Sequence, residues 1–306
     1  MASITITAIF GNSLVIAAVR RTRSLRTSSA ILVVNLACVD LAVTIIIVPF
    51  VILTAANTSV WDETLPQEIC KATGFMNAFL TAAQIMALLH ISVNRFIAVA
   101  FPHSYEKLTK RFTMGTVFFG WLHSLFWTLM PFLGWGELGF VKGTLFCNIL
   151  WSQELSFAVT VQVVCYFVPT AVAVVLYIGI YVNVRRQSKR AERAEKMRNK
   201  RRKILENRVT RTLLGVALAF AVCWFPRGVA NLWALFAGRE SVPRGLEYAS
   251  TAFVFMNSSV NPILYGALHQ DFNRAFRDIL YCRTRVRRAR SKSEDFSASV
   301  SMRPRV

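Results

Sequence analysis

Seven long apolar blocks, separated by short gaps that carry most of the charge, constrain the fold of this chain more than any other feature. Each block is long enough to cross a hydrocarbon core of about 30 Å, which takes roughly 20 helical residues. We therefore expect an all-α membrane protein with a seven-transmembrane helix bundle. The blocks lie near 2–19, 30–56, 70–100, 113–135, 155–184, 209–236 and 246–267.

The first block, 2–19, has two interpretations. A cleaved signal peptide would have a positively charged region before its apolar run. Here the arginines follow the block, beginning at Arg20. This order favours a first transmembrane span over a signal peptide.

Lysine and arginine are concentrated in alternate gaps between the blocks. Most of the 36 basic residues lie in the gaps 20–29, 101–112 and 185–208 and after residue 267. By the positive-inside rule these segments are cytoplasmic, so we expect a multi-pass plasma-membrane protein with its N-terminus outside. The formal net charge of +20 then needs no nucleic acid to explain it, and the basic rim would attract anionic membrane lipids.

The six cysteines show no metal-binding pattern. Cys70 opens the third span and Cys147 lies in the second external gap. Both face the oxidising side, so we expect a disulfide between them. The remaining cysteines inside spans are expected to be small buried thiols; they are Cys38, Cys165 and Cys223.

Two further positions are candidates for modification. Asn57-Thr58-Ser59 is a glycosylation sequon in an external gap. Cys282 lies in a basic segment close to the membrane, where cysteines are commonly palmitoylated.

Arg95 interrupts an apolar run, although a charge at the centre of a membrane helix costs about 2.5 to 3.5 kcal/mol on insertion scales. Arg95 follows Cys70 by 25 residues, which is about 37 Å along a helix. If Cys70 lies at the outer surface, Arg95 lies at the inner one. The burial cost is then largely avoided.

Short motifs at fixed places in the seven spans resemble those of the rhodopsin-like (class A) G-protein-coupled receptors. The match covers nearly the whole chain, in order and with compatible spacing. It implies a receptor, not an enzyme, that binds an extracellular ligand and activates a heterotrimeric G protein by outward movement of the sixth helix. The motifs are Gly11-Asn12, Asn35-Leu36-Ala37-Cys38-Val39-Asp40, Asn94-Arg95-Phe96, Trp121, Pro169, Cys223-Trp224-Phe225-Pro226 and Asn261-Pro262-Ile263-Leu264-Tyr265.

The resemblance implies a switch at the inner end of the bundle. In the family, the arginine that closes the third helix meets the G protein, and an acid on the sixth helix holds it at rest. Arg95 matches the arginine, and Glu206, about 30 Å along the helix from Pro226, is the candidate acid. A solvated Glu206 in a basic loop is the alternative. Asn94 stands where the family usually has an acid and brings no charge to Arg95. The resting state therefore either depends more on Glu206 or allows some signalling without ligand.

Two further sets of residues match the family's activation machinery. The connector set, for which plain core packing is the alternative, is Ile85, Pro169 and Phe220, with Trp224 above it and Pro226 as a pivot. The second set, whose tyrosines approach the arginine on activation in the family, is Asn261, Pro262, Tyr265 and Tyr177.

Asp40 is an acid deep inside a span, which marks it as functional by default. In the family a sodium ion lies beside this residue, and Asn257 and Asn261 match its partners on the seventh helix. The third-helix position that often carries serine is Gln84 here. Two interpretations are open: a sodium site formed by Asp40, Gln84 and Asn257, or an ion-free Asp40 bonded to Asn12 and Asn261. Apart from this ion, we expect no cofactor.

The outer half of the bundle is expected to hold the ligand. Asn77 stands where amine receptors carry aspartate, so an amine is disfavoured, and a seventh helix without lysine excludes a retinal Schiff base. Arg227 needs an anion, supplied by the ligand or by Glu247, unless it extends outward. Whichever partner Arg227 has, the expected ligand is a small molecule, a lipid or a short peptide. Further polar contacts would come from Asn77, Thr81, Asn231 and Thr251.

The chain divides into three segments. Residues 1–267 form the bundle, 268–282 an amphipathic eighth helix on the membrane surface, and 283–306 a basic, serine-rich disordered tail. Phosphorylation of the tail by a receptor kinase would recruit arrestin. The alternatives are an uncoupled or constitutively active receptor-like scaffold, which Asn94 motivates, and a transporter, against which the absence of internal repeats argues.

Overall fold

The structure is a computed structural model that describes residues 1–57, 59–141, 144–150, 154–193, 197–238 and 241–281. Within these ranges the side chains of 62–63, 187–193, 197–214, 217 and 235 are not described.

In the described part of the chain, seven long helices are followed by a short terminal one, and the connections contain the brief helical segments Arg23–Leu25, Val60–Glu63 and Pro102–Glu106. Each predicted span falls on its own long helix. The fourth predicted span extends two residues beyond its helix. In the part of the chain that the structure describes, α1 to α5 are long and apolar enough to cross a membrane. The helices are α1 (Ala2–Arg21), α2 (Ser28–Ala56), α3 (Gln67–Ala100), α4 (Lys110–Leu133), α5 (155–193), α6 (Met197–Ala237), α7 (Arg244–Leu268) and α8 (Gln270–Leu280).

Two of these helices contain a wider π-helical turn, and each turn precedes a proline. The turn Val43–Ile47 in α2 comes before Pro49, and the turn Gln162–Phe167 in α5 comes before Pro169. Proline lacks an N–H and its ring crowds the carbonyl four residues earlier. A π turn gives that carbonyl more room, so the helix continues across the proline.

A two-stranded hairpin links α4 to α5, and the sequence did not predict it. Strand β1 (Leu138–Phe140) pairs antiparallel with β2 (Cys147–Ile149). The expected disulfide joins Cys70 at the start of α3 to Cys147 in β2. A Cβ on Gly74 would lie 3.2 Å from backbone of β2, so the hairpin rests directly on α3. We call this end of the bundle the disulfide end and the opposite end, which carries Arg95, the arginine end.

Small residues and polar contacts hold the helices close together. A Cβ on Gly11 of α1 would lie 2.7 Å from Cβ of Pro262 in α7, so these two helices touch at a point where no larger residue fits. Trp121 of α4 donates to the amide oxygen of Asn35 in α2 at 2.8 Å. The motif residues thus also serve as packing contacts.

One prediction about the thiols is wrong. Cys165 and Cys223 are buried as expected, whereas Cys38 is exposed. Its neighbours Ala37 and Val39 are buried, so Cys38 lies on the face of α2 that points away from the bundle.

Candidate functional site

At the disulfide end, Arg227 is paired inside the protein. Its Nη1 lies 2.6 Å from Oε1 of Glu247, and its Nη2 donates to Oγ1 of Thr251 at 2.6 Å. The guanidinium also lies over the ring of Phe146, 5.2 Å from its centroid. Arg227 is 7% exposed and Glu247 2%. Of the three interpretations of Arg227, the structure thus shows the internal ion pair.

The loop before Cys147 reaches into the bundle beside this pair. Leu145 is buried, and Phe146 packs against the same apolar cluster. The Thr144 hydroxyl lies 2.7 Å from the carbonyl of Val141 and 2.9 Å from that of Phe146, which braces the loop. The loop tip therefore lies among α2, α3 and α7. Its cluster partners include Val39, Val43, Ile47, Leu80, Ala83 and Phe255.

The other residues predicted to contact ligand are distributed around the same end. Asn77 is buried and Thr81 is half-buried, both on α3. Thr251 of α7 is bonded to Arg227, while Asn231 of α6 is exposed. A ligand-binding role for these four residues stays a prediction.

Asp40 is fully buried in the middle of the bundle, and both of its carboxylate oxygens accept hydrogen bonds. Oδ1 accepts from Nε2 of Gln84 at 2.7 Å and from Oγ of Ser258 at 3.0 Å. Oδ2 accepts from Nδ2 of Asn261 at 2.8 Å. The network joins α2, α3 and α7, and Ser258 is a member that the sequence did not indicate.

This donor set does not fit a sodium ion as the residues are arranged. Hard cations are held by oxygen ligands, whereas Gln84 turns an N–H group toward Asp40. Of the two bonds to Asp40 expected without an ion, the one from Asn261 is present. Asn12 donates instead to the backbone carbonyls of Ala8 and Ser258.

At the arginine end, Arg95 is 8% exposed and bonded to neutral groups. Its Nη2 donates to the Ser29 hydroxyl and, at 3.0 Å, to Oδ1 of Asn94. The Ser29 hydroxyl also lies 2.8 Å from the hydroxyl of Tyr105. The side chain of Glu206 lies outside the described residues, so its pairing with Arg95 stays a prediction.

The two tyrosines of the predicted switch take different positions. The Tyr177 hydroxyl is bonded to Ser92 and lies in the electric field of Arg95. Tyr265 is buried, and its ring stacks on Phe272 of α8 at 5.5 Å. Tyr177 thus interacts with the arginine, and Tyr265 packs against α8.

The connector residues lie in the core between the two ends. Ile85 and Pro169 are buried. Phe220 stacks on Trp224 with ring centroids 5.4 Å apart. Pro226 lies within α6, two residues beyond Trp224.

The structure describes one of the two predicted modification sites. Asn57 is exposed, and its side chain accepts from the backbone N–H of Ser59 at 3.0 Å. Cys282 and the tail 283–306 lie outside the described residues.

Sequence reasoning missed several residues of these sites. Ser258 lies three residues before Asn261 and so on the same helix face, which was a usable signal. Phe146 directly precedes the disulfide cysteine, which places it near the bundle. Ser29 and Tyr105 gave no signal, because serine and tyrosine are ordinary at helix starts and in loops.

Comparison with known proteins agrees with this arrangement. The family described as 7 transmembrane receptor (rhodopsin family) matches residues 11–265. The histamine H2 receptor of Rattus norvegicus is 28% identical over 281 residues, which is 90% of this chain and 76% of the receptor. The melatonin receptor type 1A of Phodopus sungorus is 30% identical over 278 residues, covering 89% and 76%.

A solved structure shows the same fold. The crystal structure of squid rhodopsin matches with a TM-score of 0.79 at 22% identity, covering 90% of this chain and 81% of that one. The arrangement of α1 to α7 is therefore that of a seven-helix receptor bundle. Because the family match covers residues 11–265, well over half of the chain, the chain belongs to the rhodopsin-like (class A) G-protein-coupled receptors.

Proposed function

We propose that this receptor binds a ligand without net charge at its disulfide end, and that it signals to a heterotrimeric G protein at its arginine end. The disulfide end is extracellular and the arginine end cytoplasmic in this proposal, as the distribution of basic residues suggests. The observation that carries the ligand class is the buried cluster of Arg227, Glu247 and Thr251.

The internal pair argues against a charged ligand of either sign. A cation or an anion would have to take one partner away from Arg227–Glu247. Leaving the other charge buried and unpaired costs about 3 to 5 kcal/mol. A small molecule, lipid or short peptide that offers hydrogen-bonding groups to Asn77 and Thr251 avoids this cost. Two relatives are named for histamine and melatonin, and Asn77 argues against an amine here.

Arg227 connects the ligand end to a bend in α6. It follows Pro226, where the helix lacks one backbone hydrogen bond and so bends more easily. A ligand that repositions Arg227 would shift α6 at this bend, together with the stack of Trp224 on Phe220. Outward movement of the arginine end of α6 is the expected result.

At the arginine end, the resting contacts of Arg95 are weak enough to be exchanged. Ser29 and Asn94 are neutral acceptors, and Glu206 is the proposed charged partner on α6. A hydrogen bond to a charged group contributes about 1.5 to 3 kcal/mol, which contacts with a second protein can match. Contacts made by a G protein can therefore replace it.

The peripheral modifications complete the proposal for a plasma-membrane receptor. Asn57 would carry a glycan on the outside, and Cys282 a palmitoyl chain beside α8. The tail serines would be phosphorylated by a receptor kinase and then bind arrestin.

Activity without ligand is the second candidate function. Leu145 is buried among α2, α3 and α7, and Phe146 packs under Arg227. The loop tip thus occupies space that a ligand would use. A receptor filled by its own loop could hold α6 in the active position unaided.

The test is guanine-nucleotide exchange on a panel of G proteins by the purified receptor. We expect low basal exchange that rises in Glu206→Ala and is lost in Arg95→Ala, with Arg185→Ala, an exposed arginine of α5, as the matched control. Exchange that is high in the wild type and falls at least tenfold in Leu145→Ala would favour the second candidate. Silence of every variant on every G protein would overturn coupling, and activation by an amine or a carboxylate would overturn the ligand class.

A further inference from the structure

The Asp40 network is closed by a side chain that reaches it from α3. Asp40 is 0% exposed, Gln84 4%, Ser258 1% and Asn261 1%. Gln84 donates to Asp40 at 2.7 Å and lies 3.4 Å from the Ser258 hydroxyl. The amide of Gln84 therefore bridges α2, α3 and α7 by itself.

We propose that Gln84 replaces the sodium ion that the family resemblance implies beside Asp40, so that the resting state of this receptor does not depend on sodium. The Gln84 N–H group donates to the carboxylate oxygen that a bound cation would otherwise contact. This inference rests on the geometry around Asp40 and is independent of the ligand class proposed above.

The orientation of the Gln84 amide follows from the distance. If the amide were reversed, its oxygen would lie 2.7 Å from Oδ1 of Asp40, and two acceptors at that separation repel each other. The N–H group therefore faces the carboxylate. A cation that bound to Oδ1 would first have to displace this group.

A carboxylate offers about four acceptor sites, so the hydrogen bonds to Asp40 leave at most one of them for a cation. The two oxygens of Asp40 already accept three donors, from Gln84, Ser258 and Asn261. The side-chain oxygens of Asn12, Asn257 and Asn261 are buried and have no partner in the described part of the chain. Buried water commonly satisfies such neutral oxygens, so they do not by themselves require a cation.

The experiment compares thermal unfolding of the purified receptor in sodium chloride with unfolding in potassium chloride and N-methylglucamine chloride at equal ionic strength. We expect the same Tm for the wild type in all three salts. Gln84→Ser removes the amide and restores a short hydroxyl, so its Tm should fall in N-methylglucamine and recover only in sodium.

Two controls separate the effect of sodium binding on the Tm from the effect of packing at position 84. Gln84→Leu fills the same space without a donor, and its Tm should fall equally in all three salts. Adding Asp40→Asn to Gln84→Ser should abolish the sodium response.

A wild-type Tm that rises in sodium more than in potassium would overturn the proposal, whether or not the variants fold. Broadening of the ²³Na resonance by the wild type, lost in Asp40→Asn, would overturn it as well. Neither readout requires a ligand or a G protein. A failure of the sodium proposal can therefore be told apart from a failure of the proposed G-protein coupling.

Discussion

At the scale of single residues, the ion pair between Arg227 and Glu247 is the contact on which the ligand class depends. Glu247→Ala should destabilise the receptor by about 3 to 5 kcal/mol, because it leaves Arg227 buried without its charge partner. The double variant Arg227→Met/Glu247→Leu removes both charges and keeps the volume, so its stability should return close to the wild type. Thermal unfolding in detergent measures both effects.

Arg244→Ala is the matched control for this comparison. Arg244 is exposed at the start of α7, and removing an exposed charge changes stability little. A double variant that is as unstable as Glu247→Ala would show that packing, not charge, holds this cluster together.

The sequence indicated some of these partners and missed others for a physical reason. Charged residues in apolar spans need partners, so Asp40 and Arg227 were conspicuous, and Asn261 and Glu247 were nameable in advance. Ser29 and Ser258 were not, since a serine in a helix often bonds only to its own backbone. Which hydroxyl turns toward a distant helix depends on the packing of the whole bundle.

At the scale of helices, α1 and α7 touch closely because Gly11 has no side chain. A Cβ at Gly11 would meet Cβ of Pro262 at 2.7 Å, and neither is a flexible side-chain end. Gly11→Ala should force the helices apart and cost about 1 to 3 kcal/mol, as overpacking does. The measurement is the Tm of the purified receptor.

Gly115 provides the control for Gly11. It also lies within a long helix, α4, but a Cβ there would have nothing within 4 Å. Gly115→Ala should leave the Tm unchanged or raise it, because alanine favours the helix by up to about 1 kcal/mol relative to glycine. Equal losses at both positions would refute the close approach of α1 to α7.

Helix positions were predictable from the sequence, but their irregular parts were not. Apolar blocks of about 20 residues give a strong signal for α1 to α7. The strands β1 and β2 have three residues each, too few for an alternating pattern to be recognised. The π turns had one indirect signal, the prolines that follow them.

At the scale of the whole molecule, the disulfide fastens the loop tip to the bundle. Cys70 and Cys147 are separated by 77 residues, and the bond holds β2 against the start of α3. Leu145 and Phe146 lie directly before it and share its restraint. The covalent link thus joins the rigid end of α3 to the segment that packs beneath Arg227.

Removal of this disulfide gives the last prediction. The variant Cys70→Ala/Cys147→Ala should lose stability, by at most about 4.5 kcal/mol on loop entropy for a closure of this length. Each single variant should lose as much as the double one, because either change breaks the same bond. A reducing agent should lower the wild-type Tm to the value of the double variant and leave the double variant itself unchanged. Cys38→Ser, at an exposed thiol, should match the wild type under both conditions, and a wild-type Tm that does not respond to reduction would refute a stabilising role for the bond.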